Sequence, residues 1–146
     1  MTVFLLDVNV LVALFWPSHT SHATAHEWFA ARTRRWATCP MTQAAFVRLV
    51  TNPAFSPHAV GMADAVTLLR SNTASPQHAF WPDDLTLADA LAPLAGKLRG
   101  HRQVTDAYLV ALAAHHRGAL ATLDRGLAAL AAETPAARRT VEFIPG

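Results

Sequence analysis

The sequence predicts an α/β fold, a three-layer α/β/α sandwich around a central parallel sheet of about four to five strands. Three observations carry that expectation. Short apolar runs of strand length alternate with longer stretches of helical periodicity along the whole chain, and alternation of this kind pairs strands in parallel through crossover helices. The first run, Val3-Phe4-Leu5-Leu6, is apolar at consecutive rather than alternate positions, as a strand covered on both faces requires. Of the 146 residues, 52% are hydrophobic and 15% are charged, a balance that suits a doubly covered sheet or a chain that hides further surface against a partner. One domain, residues 1–146, accommodates this length, and neither an internal repeat nor a second domain is visible.

In chain order, residues 3–7 form the first strand, and Asp7 closes it. An acid at the end of so apolar a strand must find a partner. Asn9 is positioned to start the next helix, Val10 to Phe15, which Trp16-Pro17 stops. Ser18 or Ser21 caps a second helix carrying Ala25, Trp28, Phe29 and Arg32. His19, His22 and His26 fall at its start and read as surface or capping residues, with metal ligation and RNA contact as alternatives. Arg34-Arg35 leads into a second strand, Trp36-Ala37-Thr38-Cys39, ended by Pro40. Thr42 then caps a helix from Gln43 to Val50. Thr51-Asn52-Pro53 stops it, because proline biases the residue before it away from helical geometry.

Ser56 to Asn72 reads as a longer amphipathic helix with Val60, Ala63, Val66 and Leu69 as its buried stripe. His78 to Trp81 is a third strand, and Pro82-Asp83-Asp84 a turn. Leu87, Leu91, Leu94 and Leu98 suggest a helix that Pro93 kinks or divides. Gly100 to Val104 is a basic loop. Thr105-Asp106 opens a helix that is apolar nearly all round and therefore buried between layers. His115-His116-Arg117-Gly118 ends it, with cations favourable at the C-terminus and Gly118 as the cap. Ala119 to Leu123 is a fourth strand, Gly126 to Ala132 a short helix, and Val141 to Ile144 an edge strand.

Formal charge is only +2, carried by eleven Arg and one Lys against ten acids. Arg makes bidentate contacts to phosphate, but Arg over Lys beside abundant Ala also follows from a GC-rich genome. Cys39 is the only cysteine, which excludes a disulfide framework and a thiolate metal cluster; it reads as a small buried hydrophobe near a strand end. No basic segment precedes the first apolar run, and no run approaches the roughly 20 residues of a membrane helix. A reducing cytoplasm is the expected compartment.

The chemistry lies in three acids. Asp7 follows the first strand, Asp106 opens the buried helix, and Asp124 follows the fourth strand. Each has a plain structural role available: Asp106 favours the helix dipole, and Asp124 suits a turn or an N-cap. Asp64, Asp83, Asp84 and Asp89 read as helix-surface or turn residues, with Asp89 completing a capping box with Thr86. In a parallel sheet, however, strand ends and helix starts share one edge. Three carboxylates gathered there call for a cation.

Asp-x-Asn-x-Leu after the first strand, Thr-Asp-Ala-Tyr-Leu-x-x-Leu-Ala opening the late helix, and Leu-Ala-Thr-Leu-Asp-Arg-Gly after it together resemble the PIN-domain family. They are most similar to its VapC-type ribonuclease toxins. Thr51-Asn52-Pro53 and Trp28 resemble one branch of that group. The resemblance runs from Val3 to about Ile144, and its order and spacing are more specific than any one motif. It implies a central parallel sheet flanked by helices, a Mg²⁺ or Mn²⁺ site, endonucleolytic cleavage of RNA, an antitoxin protein as partner, and a homodimer. Carried over residue by residue, it makes Asp7, Asp106 and Asp124 the catalytic and metal-binding residues, with Asn9 and Thr105 positioning substrate or a ligand water. Arg48, Arg102 and Arg125 are candidates for phosphate contact.

One position departs from the pattern. The family has a Glu early in the third helix, after a Ser or Thr; here Thr42 is followed by Gln43. The three Glu of the chain (Glu27, Glu133, Glu142) are not placed to substitute. Gln43 can offer a carbonyl oxygen as a further metal ligand but brings no charge. Two rival readings follow. A haloacid-dehalogenase-type phosphatase also begins with an acid after its first strand, but resembles Asp-x-Asp with a distant Lys, and here Asn9 takes the second position and Lys97 is the only lysine. A PIN fold that binds without cleaving is the other, and Gln43 favours it.

Overall fold

In the computed structural model, which describes residues 2–31 and 35–145, five parallel strands form one sheet in the order β3-β2-β1-β4-β5. The strands are β1 (Val3–Leu6), β2 (Arg35–Thr38), β3 (His78–Phe80), β4 (Ala119–Thr122) and β5 (Val141–Phe143). Strand β1 is central: Leu5 pairs with Ala37 of β2 on one side and with Leu120 of β4 on the other. The chain first builds outward through β2 and β3, then returns to the far side of β1 for β4 and β5. The strand order therefore reverses between β1 and β4, and open parallel sheets bind ligands at the carboxyl edge of such a switch point.

Side chains alternate across the strands, so each face of the sheet receives its own core. Phe4, Leu6 and Trp36 point to one face and pack with α1 (Val8–Phe15), Ala25 of α2 (His22–Ala30), Phe46 and Val50 of α3 (Pro40–Val50), and Ala65 of α4 (Met62–Thr73). Leu5, Ala37 and Leu120 point to the other. They meet α5 (Leu87–Leu91), α6 (Val104–His115), α7 (Arg125–Ala131) and α8 (Pro135–Thr140). Helix α6 buries Ala107, Tyr108, Leu109, Val110, Leu112 and Ala113, as its all-round apolar sequence requires. The indole N–H of Trp28 donates to Glu142, which ties α2 to the edge strand β5.

The expected three layers stand, and several local expectations need correction. Strand β1 ends at Leu6, and Asp7, not Asn9, caps α1, its carboxylate accepting the Val8 N–H at 2.8 Å. Ser21 occupies the N-cap of α2 without a side-chain bond; Arg32 and Arg34 lie outside the described residues. Pro40 begins α3 rather than merely ending β2, because proline at the first turn has no N–H to waste. Cys39 is the buried N-cap residue, and Thr42 sits three positions on, its hydroxyl accepting the Cys39 N–H at 3.0 Å. Burial pushes the Cys39 thiol up, keeping it protonated.

Helix α4 starts at Met62, not Ser56. Its inward side is Ala65 with Leu68 and Leu69, whereas Ala63 and Val66 are exposed. The stripe shifts because Val60 precedes the helix and donates its N–H to Val50, so it does not share the helical phase. Pro93 divides the leucine-spaced segment into α5 and a 3-10 helix, Ala92–Lys97. Leu94 is buried and Leu87 exposed. After α6 the left-handed residue is Arg117 (φ 57°), not Gly118. Gly118 serves close approach instead: a Cβ there would lie 2.5 Å from the Val3 carbonyl oxygen and 2.6 Å from the Trp81 ring. Helix α8, capped by Thr134, had no counterpart in the sequence reading.

Candidate active site

The carboxyl ends of β1 and β4 bring their acids to one edge. Asp7 is only 6% exposed. One of its oxygens accepts the Val8 N–H, and the other accepts the Thr122 hydroxyl at 2.7 Å, so its rotamer is fixed from both sides. Burial raises the Asp7 pKa, and the charge of Asp124 adds to that; the bonds from Thr122 and Val8 work against it. Asp124, two residues beyond β4, caps α7 by accepting the Gly126 N–H at 2.7 Å, and its own N–H donates to Thr122. Thr122 thus joins two of the acids through one hydroxyl. Asn9 holds the same edge together, its side-chain oxygen accepting the Leu123 N–H at 3.1 Å.

Asp106 arrives from the first turn of α6. Burial raises its carboxyl to about 6, and the negative charges of Asp7 and Asp124 push in the same direction. The three acids named from the sequence are therefore near enough to feel one another. Thr105 is exposed at the second position of α6. Gln43 is half-buried, and its amide donates to Thr38 on β2 at 2.9 Å. The Thr38 hydroxyl also bonds His78 at 2.7 Å. With its nitrogen engaged there, Gln43 retains its carbonyl oxygen as the atom it can offer to a cation.

Unrelieved, this cluster opposes itself, since burial and mutual repulsion both disfavour charge on the carboxylates. A divalent cation removes both penalties. The donor set is all oxygen, which suits Mg²⁺ or Mn²⁺. Among the described residues no three His, Cys, Asp or Glu side chains group closely enough to enclose an ion. A hard cation there would take one or two of these carboxylates, with water and substrate oxygens completing its shell, as Mg²⁺ usually does.

The other sequence candidates make local contacts or lie exposed. Arg125 places its guanidinium over the Phe143 ring, 5.6 Å from the centroid. Arg48 is exposed in the last turn of α3, and Arg102 in a 3-10 helix, His101–Gln103. The imidazole Nδ1 of His22 bonds the Ala13 carbonyl, and that of His19 accepts the Ser21 N–H, so both serve local structure. Asp84 pairs with His116 at 3.0 Å, and Asp89 donates its N–H to Thr86. Sequence reasoning missed Thr122 as a partner of Asp7. The available signal was a hydroxyl at the end of an apolar strand, two residues before an acid.

The model of the PIN domain matches residues 4–133. The chain belongs to the PIN-domain family. This PIN domain is 49% identical over 132 residues to Ribonuclease VapC38 of Mycobacterium tuberculosis, covering 90% of the chain and 92% of the relative. Ribonuclease VapC29 of the same organism is 47% identical, with 89% and 91% covered, and Ribonuclease VapC39 is 43% identical, with 85% and 90% covered. Among solved structures, the PIN domain is similar to a toxin–antitoxin complex from Klebsiella pneumoniae, at TM-score 0.62, 18% identity and 97% and 98% coverage. It is also similar to VapBC2 from Rickettsia felis bound to a DNA fragment from their promoter, at TM-score 0.63, 12% identity and the same coverage. These two structural likenesses establish the fold. Family membership removes the phosphatase alternative.

Proposed function

We propose that this protein is the toxin of a toxin–antitoxin pair and a Mg²⁺- or Mn²⁺-dependent endoribonuclease that hydrolyses RNA phosphodiester bonds. The observation that carries it is the meeting of Asp7, Asp106 and Asp124 at one sheet edge, where burial first, and the charges of Asp7 and Asp124 after it, raise Asp106, an arrangement that a divalent cation relieves. The relatives named ribonucleases supply the reaction class. An antitoxin protein, an RNA substrate and a second copy of the chain are the proposed partners, and the cytoplasm the proposed compartment. No helix among the described residues is long and apolar enough to cross a membrane.

Asp7 and Asp106 would hold the cation, with Asp124 in support. The bound ion supplies neutralisation of phosphate charge and a lowered pKa for attacking water. Thr122 locks the Asp7 carboxylate, and Asn9 fixes the β4 end, so the donors are set before substrate arrives. Thr105, exposed beside Asp106, is available to position the substrate or a ligand water.

Purified protein should cleave an RNA pool with added Mg²⁺ or Mn²⁺ and stop when the metal is chelated. Activity should fall as pH drops through about 6, because Asp106 must lose its proton to hold the ion. Gln43 in place of the family's Glu favours a second reading, a PIN fold that binds RNA or protein with little cleavage. RNA left intact at every metal concentration would select it.

Gln43→Glu should tighten Mn²⁺ binding. A unit charge at about 4 Å and an effective dielectric near 20 interacts by about 4 kcal/mol. Desolvation and repulsion from the other acids cancel much of that, leaving about 1–2 kcal/mol, or roughly tenfold in affinity. Calorimetric titration of both proteins at one pH measures it. Equal affinity would mean that the Gln43 side chain, bonded to Thr38, does not face the ion.

A further inference from the structure

Three cations and a histidine crowd into six residues just ahead of α6: Lys97, Arg99 and Arg102, with His101 among them. All four are exposed, and none has an acidic partner within ion-pair distance among the described residues. The loop is shaped rather than slack. The Arg99 N–H donates to the Gln103 side-chain oxygen at 2.6 Å, and Gly100 adopts φ 157°, which side chains rarely accept. Lys97, Arg99 and Gln103 wall a cavity of about 230 Å³ whose opposite side is Gly126, Ala129, Leu130 and Glu133. Gly126 is the residue whose N–H donates to the capping carboxylate of Asp124, and Gln103 directly precedes α6, three residues before Asp106. One wall of the cavity, Gly126, is thus bonded to Asp124, the other ends directly before the helix that carries Asp106, and the two cations Lys97 and Arg99 outnumber the one acid, Glu133, in its lining.

An acidic edge alone repels a polyanion, and a neighbouring basic pocket offsets that repulsion. We propose that the cavity between Lys97, Arg99 and Gln103 and the start of α7 is a phosphate subsite, which takes the RNA backbone one or more nucleotides away from the bond to be cut. The proposal rests on the RNA-cleavage function above and extends it to substrate positioning. Lys97 and Arg99 act as positioning residues: they seat a neighbouring phosphate so that the scissile one meets the acids. Glu133, on the far wall, keeps the phosphate toward the Lys97 and Arg99 side.

The test is the double variant Lys97→Gln/Arg99→Gln against wild type, using a single-stranded RNA oligonucleotide. Two measurements are made: steady-state cleavage, and fluorescence anisotropy of binding at several salt concentrations without added metal. KM and Kd should rise about tenfold with kcat within about twofold. The slope of log Kd against log salt should shrink by about 1.4, or about 0.7 for each single-strand phosphate that is no longer neutralised. Arg70→Gln, exposed on α4, should change neither constant. Unchanged KM, Kd and salt slope in the double variant would overturn the subsite while leaving the nuclease function standing. If wild type cleaves no RNA, the function above fails, and anisotropy still decides the subsite: weaker binding by the double variant supports it. Equal binding, or no binding by either protein, overturns it.

Discussion

Asp106→Asn should lower RNA cleavage by roughly a hundredfold or more, a loss of about 3 kcal/mol of transition-state stabilisation, without unfolding the protein. Asn keeps the shape of the side chain and removes the charge that holds the ion. The substitution also carries a signature that a folding defect cannot imitate. In the folded protein Asp106 titrates near 6, well above an ordinary carboxylate, because burial and two like charges oppose its ionisation. A group whose folded pKa is raised contributes stability below its unfolded pKa and loses that contribution as pH rises through the folded value. Without metal at pH 7, wild type therefore bears the cost of an ionised Asp106, and the Asn variant does not. Its melting temperature should be higher than that of wild type above pH 6. The difference should shrink as pH falls through 6 and vanish below about 4. Thermal melts in chelator across pH 4–8, beside cleavage assays in Mg²⁺, measure both halves.

Gly118→Ala should be the most damaging single methyl in the fold. The new carbon would sit 2.5 Å from the backbone oxygen of Val3, on the central strand, and 2.6 Å from the Trp81 ring. Trp81 cannot swing aside freely, because its ring stacks on His116 at 4.6 Å and packs into the core beneath the sheet. Overpacking of this kind costs about 1–3 kcal/mol and occasionally more, and a backbone carbonyl in the clash places this site near 3. For a chain of this size that lowers the melting temperature by about 6–12 °C. Gly96→Ala, with nothing within 4 Å, should fall within about 0.5 kcal/mol of wild type. Equal unfolding midpoints for the two variants would show that the sheet and Trp81 relax around the methyl.

What could be read in advance followed the strength of the local signal. Strands β1 and β4 and helix α6 were legible because consecutive apolar residues have no stable place except between two layers. Asp7 and Asp124 were legible because strand ends share one edge in a parallel sheet, so sequence order implied proximity. The phase of α4 was not, because a half-exposed helix is oriented by what docks on it. Val60, which looked like the first rung of the stripe, spends its N–H on Val50 instead. The purpose of Gly118 was hidden for a related reason: a close approach between Val3 and Trp81 has no signature in the residues around it. Thr122 escaped notice because its bond to Asp7 spans 115 residues of sequence. The engagement of Gln43 with Thr38 and His78 likewise depends on strand pairing.

The central claim is that Asp7, Asp106 and Asp124 act together on one divalent cation. Calorimetric titration of Mn²⁺ into wild type and Asp106→Asn, at pH 6 and pH 7.5 in two buffers of different ionisation enthalpy, tests it most directly. Wild type should bind one ion and release about half a proton at pH 6, where Asp106 is half-protonated. That release should be close to zero at pH 7.5. Asp106→Asn should bind at least roughly tenfold more weakly and release less proton than wild type at pH 6. Equal Mn²⁺ affinity in the two proteins, with no difference in proton release, would contradict the account.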